Sequence, residues 1–223
     1  MKISEIFLSI EGEGIRTGAP AVFIRLFGCN LRCAYCDSMY AVEGSDFQEM
    51  SPVEVFEKVK SFNTQYVTLT GGEPLIHKDV EVLLKMLDDF GFEVNIETNG
   101  TQPKPTGYRH IFCTMDWKCT SSEMQPKMKL ENMMTLSGRD VLKFVVGTED
   151  DLQDAARVIG AMEAEYTRNR MKLPTFYVSP IFGTMKYEDM VNWILSNETM
   201  KRNNVRFQVQ LHKIVWDPEA RGV

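Results

Sequence analysis

The sequence predicts an α/β fold, a partial (incomplete) TIM-like barrel of about six parallel strands with crossover helices. Segments typical of strands and of helices alternate along the chain, which indicates repeated βα units and therefore a parallel sheet. The chain has 223 residues, fewer than the roughly 250 of a complete eight-stranded barrel. No linker rich in Pro, Ser or Gly divides the sequence, so we expect a single domain over residues 1–223.

The strands are predicted from short apolar stretches bounded by turn residues. In chain order these stretches are 21–28, 66–70, 93–97, 111–115, 141–146, 175–179 and 205–210. Active sites in folds of this kind lie at the carboxyl ends of the strands. The residues that directly follow each stretch are therefore the first candidates for a functional site.

The helices are predicted from capping residues and helical spacing. Ser51 and Pro52 are typical of a helix start, and Glu54 is placed to complete a capping box with Ser51. Apolar residues at helical spacing over 80–90 predict an amphipathic helix that ends at Gly91. Two further helices are predicted near 150–162 and 186–195.

Three cysteines lie close together after the first predicted strand, at Cys29, Cys33 and Cys36. A [4Fe–4S] cluster normally takes four cysteine ligands, so three would leave one iron open to a ligand that is not protein. The alternatives are a zinc site or buried free thiols. Structural zinc sites usually use paired C-x-x-C knuckles with a fourth Cys or His, and no second knuckle is present. The spacing therefore favours an iron–sulfur cluster.

Composition limits the partners and the compartment. The net charge of −6 disfavours a broad electrostatic interaction with nucleic acid, so a small-molecule substrate is expected. No apolar run approaches membrane-spanning length, and the first residues lack the apolar core of a signal peptide. Five cysteines is an odd number, which disfavours a disulfide framework. We therefore expect a cytoplasmic protein with no membrane partner, in a compartment where thiols stay reduced.

Polar residues follow two of the predicted strands. Gly71 and Gly72 allow a close backbone approach, and Glu73 adds a carboxylate next to them. An ordinary turn between a strand and a helix is the alternative for this segment. Residues 97–100, Glu-Thr-Asn-Gly, offer further polar groups or form a simple turn in which Asn-Gly supplies a positive φ.

The cysteine spacing, with Tyr35 and Asp37 beside Cys36 and the Gly-Gly-Glu-Pro turn at 71–74, resembles the radical S-adenosylmethionine (SAM) superfamily. The resemblance implies that the open iron is chelated by SAM, and that an electron from the cluster cleaves SAM to a 5′-deoxyadenosyl radical. It also implies that Glu73 and the backbone of the turn contact the amino group of SAM. A flavodoxin-like or ferredoxin-like electron donor would be the protein partner.

Both chain ends narrow this resemblance. Residues 9–14, Ser-Ile-Glu-Gly-Glu-Gly, and the segments 210–213 and 216–223 resemble 7-carboxy-7-deazaguanine synthases of the clostridial type. The likeness implies a homodimer. It places on the cluster Cys29, Cys33 and Cys36. It places against SAM Tyr35, Asp37, Gly72, Lys118, Ser179 and Pro180. Asp116 and Trp117 stand where family members often have Ser-Pro before that lysine, and they are expected at SAM together with Glu73 and Asn99. It places against the substrate Ile10, Glu11, Gly12, Arg25, Thr70, His212 and Val223.

Two departures from the synthase pattern bear on the reaction. Ser38 stands where the resemblance implies a magnesium-binding Thr, and it keeps the hydroxyl group. Glu11 stands where the synthases have a neutral Gln or Asn, and a carboxylate there would suit a cationic amine better than an anionic carboxypterin. Queuine lyase, a related salvage enzyme, cleaves such an amine to 7-aminomethyl-7-deazaguanine and needs no Mg²⁺. On this charge argument we predict the lyase reaction, with Glu11 among the catalytic residues. The alternative is the Mg²⁺-dependent ring contraction of 6-carboxytetrahydropterin by the synthase.

Simpler interpretations remain for several residues. Arg25 could form a structural salt bridge, and His212 could be a satisfied core histidine. Cys113 is interpreted as a core residue and Cys119 as a partly exposed loop thiol near SAM. A radical SAM activase that makes a glycyl radical on a partner protein, or a non-catalytic iron–sulfur or zinc module, are the alternatives of another class. Neither accounts for the N-terminal segment and the Gly-Gly-Glu-Pro turn together.

Overall fold

The computed structural model describes residues 1–223 and contains one sheet of nine strands. The strands are β1 (Lys2–Ile10), β2 (Pro20–Leu26), β3 (Gln48–Glu49), β4 (Tyr66–Gly71), β5 (Glu93–Thr98), β6 (Ile111–Lys118), β7 (Val141–Val146), β8 (Thr175–Pro180) and β9 (Arg206–Phe207). Their order in the sheet is β3-β1-β2-β4-β5-β6-β7-β8-β9. β1 is antiparallel to β2, and β3 is antiparallel to β1. The remaining seven strands form one parallel series that does not close into a ring.

The predicted α/β class and incomplete barrel are confirmed, with two differences at the ends. The final strand has only two residues, shorter than the predicted stretch 205–210. β1 is not predicted, because the apolar residues of Lys2–Ile10 do not alternate with polar ones. Most of its side chains are partly exposed, so no single face is marked as buried.

The helices follow the strands as βα units require. They are α1 (Pro52–Lys60), α2 (Val80–Phe90), α3 (Leu130–Met133), α4 (Glu149–Arg168), α5 (Tyr187–Ser196), α6 (Glu198–Arg202) and α7 (His212–Val215). Ser51 and Glu54 form the predicted capping box, and Gly91 ends α2 with a φ of 89°. Thr148 and Asp151 form a second capping box that starts α4, which extends beyond the predicted 150–162. None of these helices combines the length and the apolar character needed to cross a lipid bilayer.

The two faces of the parallel sheet differ in polarity, because successive side chains of a strand point to opposite sides. One face packs into an apolar cluster of 37 buried residues that also contains residues of α1, α2 and α4. This face contributes Ile24, Leu69, Ile96, Met115 and Phe144. The opposite face carries Arg25, Thr70, Glu97, Asp116 and Lys143, all of which line a cavity. The concave side of the incomplete barrel is therefore a polar surface.

Candidate active site

A cavity of about 890 Å³ opens at the carboxyl ends of the parallel strands. Its walls include the cysteine loop after β2, the Gly71-Gly72 turn after β4 and the end of β5. The last residues of the sequence, 217–223, also line it. Large concave sites at strand carboxyl ends are where ligands bind in folds of this class. The structure thus brings most of the residues selected from the sequence into one cavity.

The three clustered cysteines lie on one wall of this cavity. Cys29, Cys33 and Cys36 are each half-buried and are free of disulfides. The loop that carries them is fixed at its start, where the backbone N–H of Gly28 donates to the carbonyl of Ala41 at 2.7 Å. The thiols therefore face the cavity from an anchored loop.

The arrangement of these thiols bears on the type of metal centre. No three side chains of His, Cys, Asp or Glu are arranged to hold a single metal ion. In an iron–sulfur cluster each thiolate binds a different iron, so the ligands are spread around the cluster. Burial raises the pKa of the Cys33 thiol, although the Lys118 ammonium partly offsets this effect. Three cysteine thiols on one wall are the ligand type that an iron–sulfur cluster takes, so the residues present fit such a cluster.

The glycine turn lies directly against the start of the cysteine loop. The backbone N–H groups of Gly72 and Glu73 donate to the carbonyls of Leu26 and Gly28 at 3.0 and 2.9 Å. A Cβ atom on Gly72 would lie 2.1 Å from the carbonyl oxygen of Gly28, so no larger residue fits without displacing that backbone. The close approach expected from the two glycines occurs, and its partner is the cysteine loop.

The side chain of Glu73 does not face the cavity. It is fully buried and accepts hydrogen bonds from the backbone N–H groups of Leu75 and Asn99 and from the hydroxyl of Thr98, at 2.7 to 2.9 Å. Burial raises the pKa of Glu73, and these hydrogen bonds oppose the rise. The carboxylate ties the turn to the end of β5 and does not line the cavity, so its contact with SAM stays a prediction.

A group of four charged side chains forms the floor of the cavity between β6 and β7. Lys118 donates to Asp116 at 2.8 Å, and Lys143 donates to Glu13 at 3.0 Å and lies 3.4 Å from Asp116. Asp116 and Lys143 are register partners on neighbouring parallel strands, so their side chains share the concave face. Burial opposes the charge of Lys143, but Asp116 and Glu13 outweigh it and raise its pKa. Sequence reasoning missed Lys143 and Glu13. Lys143 could have been found from the sequence, because it is the one charged residue in an otherwise apolar strand.

Trp117, Ser179 and Pro180 were expected to contact SAM, but none of them lines the cavity. Trp117 lies between Asp116 and Lys118, so the alternation of the strand turns it to the opposite face. There its indole Nε1 donates to Asp154 at 2.7 Å. Ser179 and Pro180 are buried at the end of β8, and the next residue, Ile181, is the one that reaches the cavity.

Glu11 is buried in the cavity wall and is paired with Arg16. The Nη2 atom of Arg16 donates to Oε1 of Glu11 at 2.6 Å, and the Thr68 hydroxyl donates to the same oxygen. No protein group donates to Oε2 of Glu11. Burial and the nearby Glu97 raise the pKa of Glu11, while Arg16 and Thr68 lower it. Sequence reasoning missed Arg16, which lies outside the predicted strands.

Arg25 and His212, both expected to bind the substrate, line the cavity. Arg25 forms the salt bridge that was its simpler interpretation, because its Nε donates to Glu5 at 2.7 Å. Both of its Nη nitrogens have no protein acceptor. His212 is half-buried, and burial lowers its pKa. It lies so close to Gly12 that a Cβ atom there would be 2.2 Å from Nδ1.

The remaining predicted residues also line the cavity. Asp37 pairs with Lys213 at 3.0 Å, and although burial opposes ionisation this contact lowers the pKa of Asp37 to about 2. The hydroxyl of Ser38 donates to Asp37 at 3.1 Å. Thr70 donates to Glu97 at 3.0 Å. The other lining residues from the predicted set are Ile10, Tyr35, Gly72, Asn99 and Val223.

The two other cysteines are both buried outside the cavity. Cys113 is in the apolar cluster, as expected, and burial raises its pKa to about 12. Cys119 was interpreted as a partly exposed thiol near SAM, but it is fully buried and points toward the carbonyl of Asp151 at 3.7 Å. That interpretation is wrong, because the strand continues to Lys118 and turns Cys119 into the core.

Comparison with known proteins identifies the family. Residues 23–112 match the model of the radical SAM superfamily. A 7-carboxy-7-deazaguanine synthase of Clostridium acetobutylicum is 39% identical over 100% of this chain and 99% of its own length. A synthase of Methanospirillum hungatei is 41% identical over 98% of this chain and 86% of its own length.

The chain belongs to the 7-carboxy-7-deazaguanine synthase family of the radical SAM superfamily.

The fold agrees with this family. The crystal structure of QueE from Escherichia coli superimposes with a TM-score of 0.73 at 25% identity, over 94% of this chain and 93% of that one. As a member, this chain is a radical SAM enzyme, and the superfamily implies a [4Fe–4S] cluster and SAM. The residues that line the cavity fit both groups. Three thiols share one wall, and the backbone of Gly72 lies beside Cys29.

Proposed function

We propose that this chain is a 7-carboxy-7-deazaguanine synthase that contracts the ring of 6-carboxytetrahydropterin. The observation that carries the proposal is its similarity to synthases over the whole of both chains. The cavity supports it, because a volume of about 890 Å³ holds SAM and a bicyclic substrate together. The substrate is a small molecule, as the composition predicts.

The synthase replaces the lyase as our preferred reaction. The lyase prediction depended on Glu11 presenting an unpaired negative charge to a substrate amine. Arg16 already lies against this carboxylate, so the pair as a whole carries no net charge. The relatives in the comparison are named as synthases, which favours the same alternative.

The side chains of the cavity suggest how the substrate is held. Arg25 has both Nη nitrogens free for a substrate carboxylate, and a guanidinium binds such a group through two parallel hydrogen bonds. We assign Cys29, Cys33 and Cys36 to the cluster. We assign the backbone of Gly72 and the side chain of Lys118 to SAM. When bound, the cluster and SAM supply the radical that removes a hydrogen atom from the substrate. Enclosure by the tail 217–223 would keep water from that reaction.

We include Mg²⁺ in the proposal as an ion that is bound by the protein and the substrate together. Ser38 is the predicted ligand, and Asp37 lies next to it on the cavity wall. No protein-only set of three ligands is formed in this region. Mg²⁺ commonly completes its shell with water and with oxygens of the substrate. Ser38 would therefore hold the ion together with the substrate carboxylate.

The test is anaerobic reconstitution followed by incubation with SAM and either 6-carboxytetrahydropterin or queuine, each with and without Mg²⁺. We expect 7-carboxy-7-deazaguanine from the pterin, with a higher rate when Mg²⁺ is present. Release of 7-aminomethyl-7-deazaguanine from queuine, with no turnover of the pterin, would reject the proposal in favour of the lyase.

A pair of cysteine variants gives the control. Cys33→Ala should lose iron and all turnover, whereas Cys113→Ala should keep both, because Cys113 is in the apolar cluster. The homodimer, the flavodoxin-like or ferredoxin-like donor and the cytoplasmic location remain predictions.

A further inference from the structure

Arg16 lies behind the wall of the cavity and does not line it. Its Nη1 atom donates to the carbonyl of Glu93 at 2.9 Å, and its Nη2 atom donates to that of Val67 at 3.0 Å. The guanidinium lies between the rings of Tyr66 and Phe112, 4.8 and 5.3 Å from their centroids. An arginine enclosed in this way is fixed in position, and it closes the amino-terminal end of the strands.

The same guanidinium fixes one oxygen of Glu11. Oε1 of Glu11 accepts from Arg16 and from Thr68, so the carboxylate cannot rotate without breaking both contacts. Oε2 receives no hydrogen bond from the protein, and Glu11 is one of the residues that line the cavity. Arg16 therefore binds one oxygen from outside the cavity and leaves the other available within it.

The surroundings of Glu11 would otherwise favour its neutral form. Only about 1% of this residue is exposed, and the carboxylate of Glu97, which forms no salt bridge, also lines the cavity. Burial and a neighbouring like charge both disfavour ionisation. Arg16 is the cation that opposes these two effects.

We propose that Arg16 is a positioning residue that keeps Glu11 ionised and directs its Oε2 atom at N–H donors of the substrate. The inference rests on the proposed function for the identity of the substrate, since the fused ring of a pterin carries such donors. Arg16 itself touches neither the substrate nor the cofactor. Glu11 is then an ionised acceptor that is held in one position, and the charge of Arg16 balances its own.

The alternative is that Arg16 only fills the closed end of the sheet. A double-mutant cycle with Arg16→Met and Glu11→Gln separates the two roles, because methionine keeps much of the bulk and removes the charge. We expect Arg16→Met to raise the KM for the substrate roughly 10- to 100-fold, as the loss of a charge-assisted hydrogen bond does. In the Glu11→Gln background the same change should leave KM within about threefold. An equal rise in both backgrounds would overturn the proposal.

A second measurement needs no substrate and no cluster. Difference infrared spectra of the ligand-free protein report whether buried carboxylic acids are protonated. At neutral pH, Arg16→Met should show a protonated acid that is missing from the wild type and from the double variant. Identical spectra of Arg16→Met and the wild type would also overturn the proposal.

Two further variants complete the design. Arg202→Met removes an exposed ion pair with Glu163 and should change neither measurement. If Arg16→Met does not fold, Arg16→Lys keeps the charge without the forked contacts. It should retain an ionised Glu11 while KM rises, because Oε2 is no longer held in one direction, and a protonated Glu11 in Arg16→Lys would reject the role. Failure of the wild type to convert the pterin would count against the proposed function, while the infrared result would stand alone.

Discussion

Arg25 and Glu5 lie on neighbouring antiparallel strands, and their side chains form an ion pair at 2.7 Å inside the cavity wall. The hydroxyl of Tyr40 donates to the same oxygen of Glu5, also at 2.7 Å. The Tyr40 ring in turn lies under the guanidinium of Arg221, 3.9 Å away. The orientation of Arg25 is thus linked through two side chains to the tail that covers the cavity.

Glu5→Gln should weaken substrate binding more than catalysis. The amide cannot hold Arg25 by charge, so the Nη nitrogens would lose their fixed direction toward the substrate carboxylate. We expect the KM for 6-carboxytetrahydropterin to rise roughly tenfold with kcat within about threefold. Glu57→Gln, which removes an exposed pair with Lys60, is the matched control and should leave both constants unchanged. A fall in kcat at constant KM would contradict this role for Glu5.

Gly72→Ala should damage the cysteine loop. The added Cβ would lie 2.1 Å from the Gly28 carbonyl oxygen and 2.9 Å from Cys29 Cβ, so the loop must shift. We expect a loss of about 1–3 kcal/mol in the free energy of unfolding and a lower iron content after reconstitution. In Gly160→Ala the new Cβ has no neighbour nearer than 3.9 Å within helix α4, so that variant should be slightly more stable than wild type. Full iron content in Gly72→Ala would show that the contact is not needed.

Lys143→Met should destabilise the protein, because two buried carboxylates would lose an ion-pair partner. Glu13 would lose its cation, and Asp116 would keep only Lys118. Breaking a buried ion pair by removing one partner costs about 3–5 kcal/mol. Thermal or urea unfolding measures this loss, and Lys143→Met/Glu13→Gln should recover part of it. If the double variant were no more stable than the single one, the cost would come from packing alone.

His212 should make stability fall as the pH is lowered. Burial lowers its pKa below the ordinary value of 6.5, so below pH 6.5 the unfolded chain binds a proton that the folded protein does not. Stability associated with neutral His212 is present above pH 6.5 and is lost as the pH falls from there through the folded pKa. Melting temperatures of wild type and His212→Gln between pH 5 and 8 should show a smaller decrease for the variant. His110→Gln, which lies outside the cavity, should follow the wild type.

The sequence was sufficient for the α/β class and for most of the parallel strands, because their apolar residues are continuous and their turns are marked. It was less informative for β1, whose side chains are partly exposed on both faces. Trp117 was predicted to face the cavity, but its side chain lies on the opposite face of the strand. A motif assigns neighbouring residues to one site, whereas a strand sends them to opposite faces.

Lys143, Glu13 and Arg16 were missed because their importance comes from pairing across the structure. Lys143 meets Glu13 although 130 residues separate them in the chain. The pairing of Arg16 with Glu11 is visible only in the structure, where Arg16 lies behind the cavity wall that contains Glu11. Sequence spacing gives no information about such partners, so the charge of Glu11 was interpreted as if it were isolated.

The separation of the sheet into an apolar and a polar face has an evolutionary consequence. Substitutions at Arg25, Thr70 or Glu97 change the surface that a ligand meets, and they leave the residues packed against the helices untouched. Selection can therefore alter specificity on one side of each strand while the other side maintains the fold. Related enzymes with this fold can therefore differ in reaction through substitutions at every second residue of the same strands.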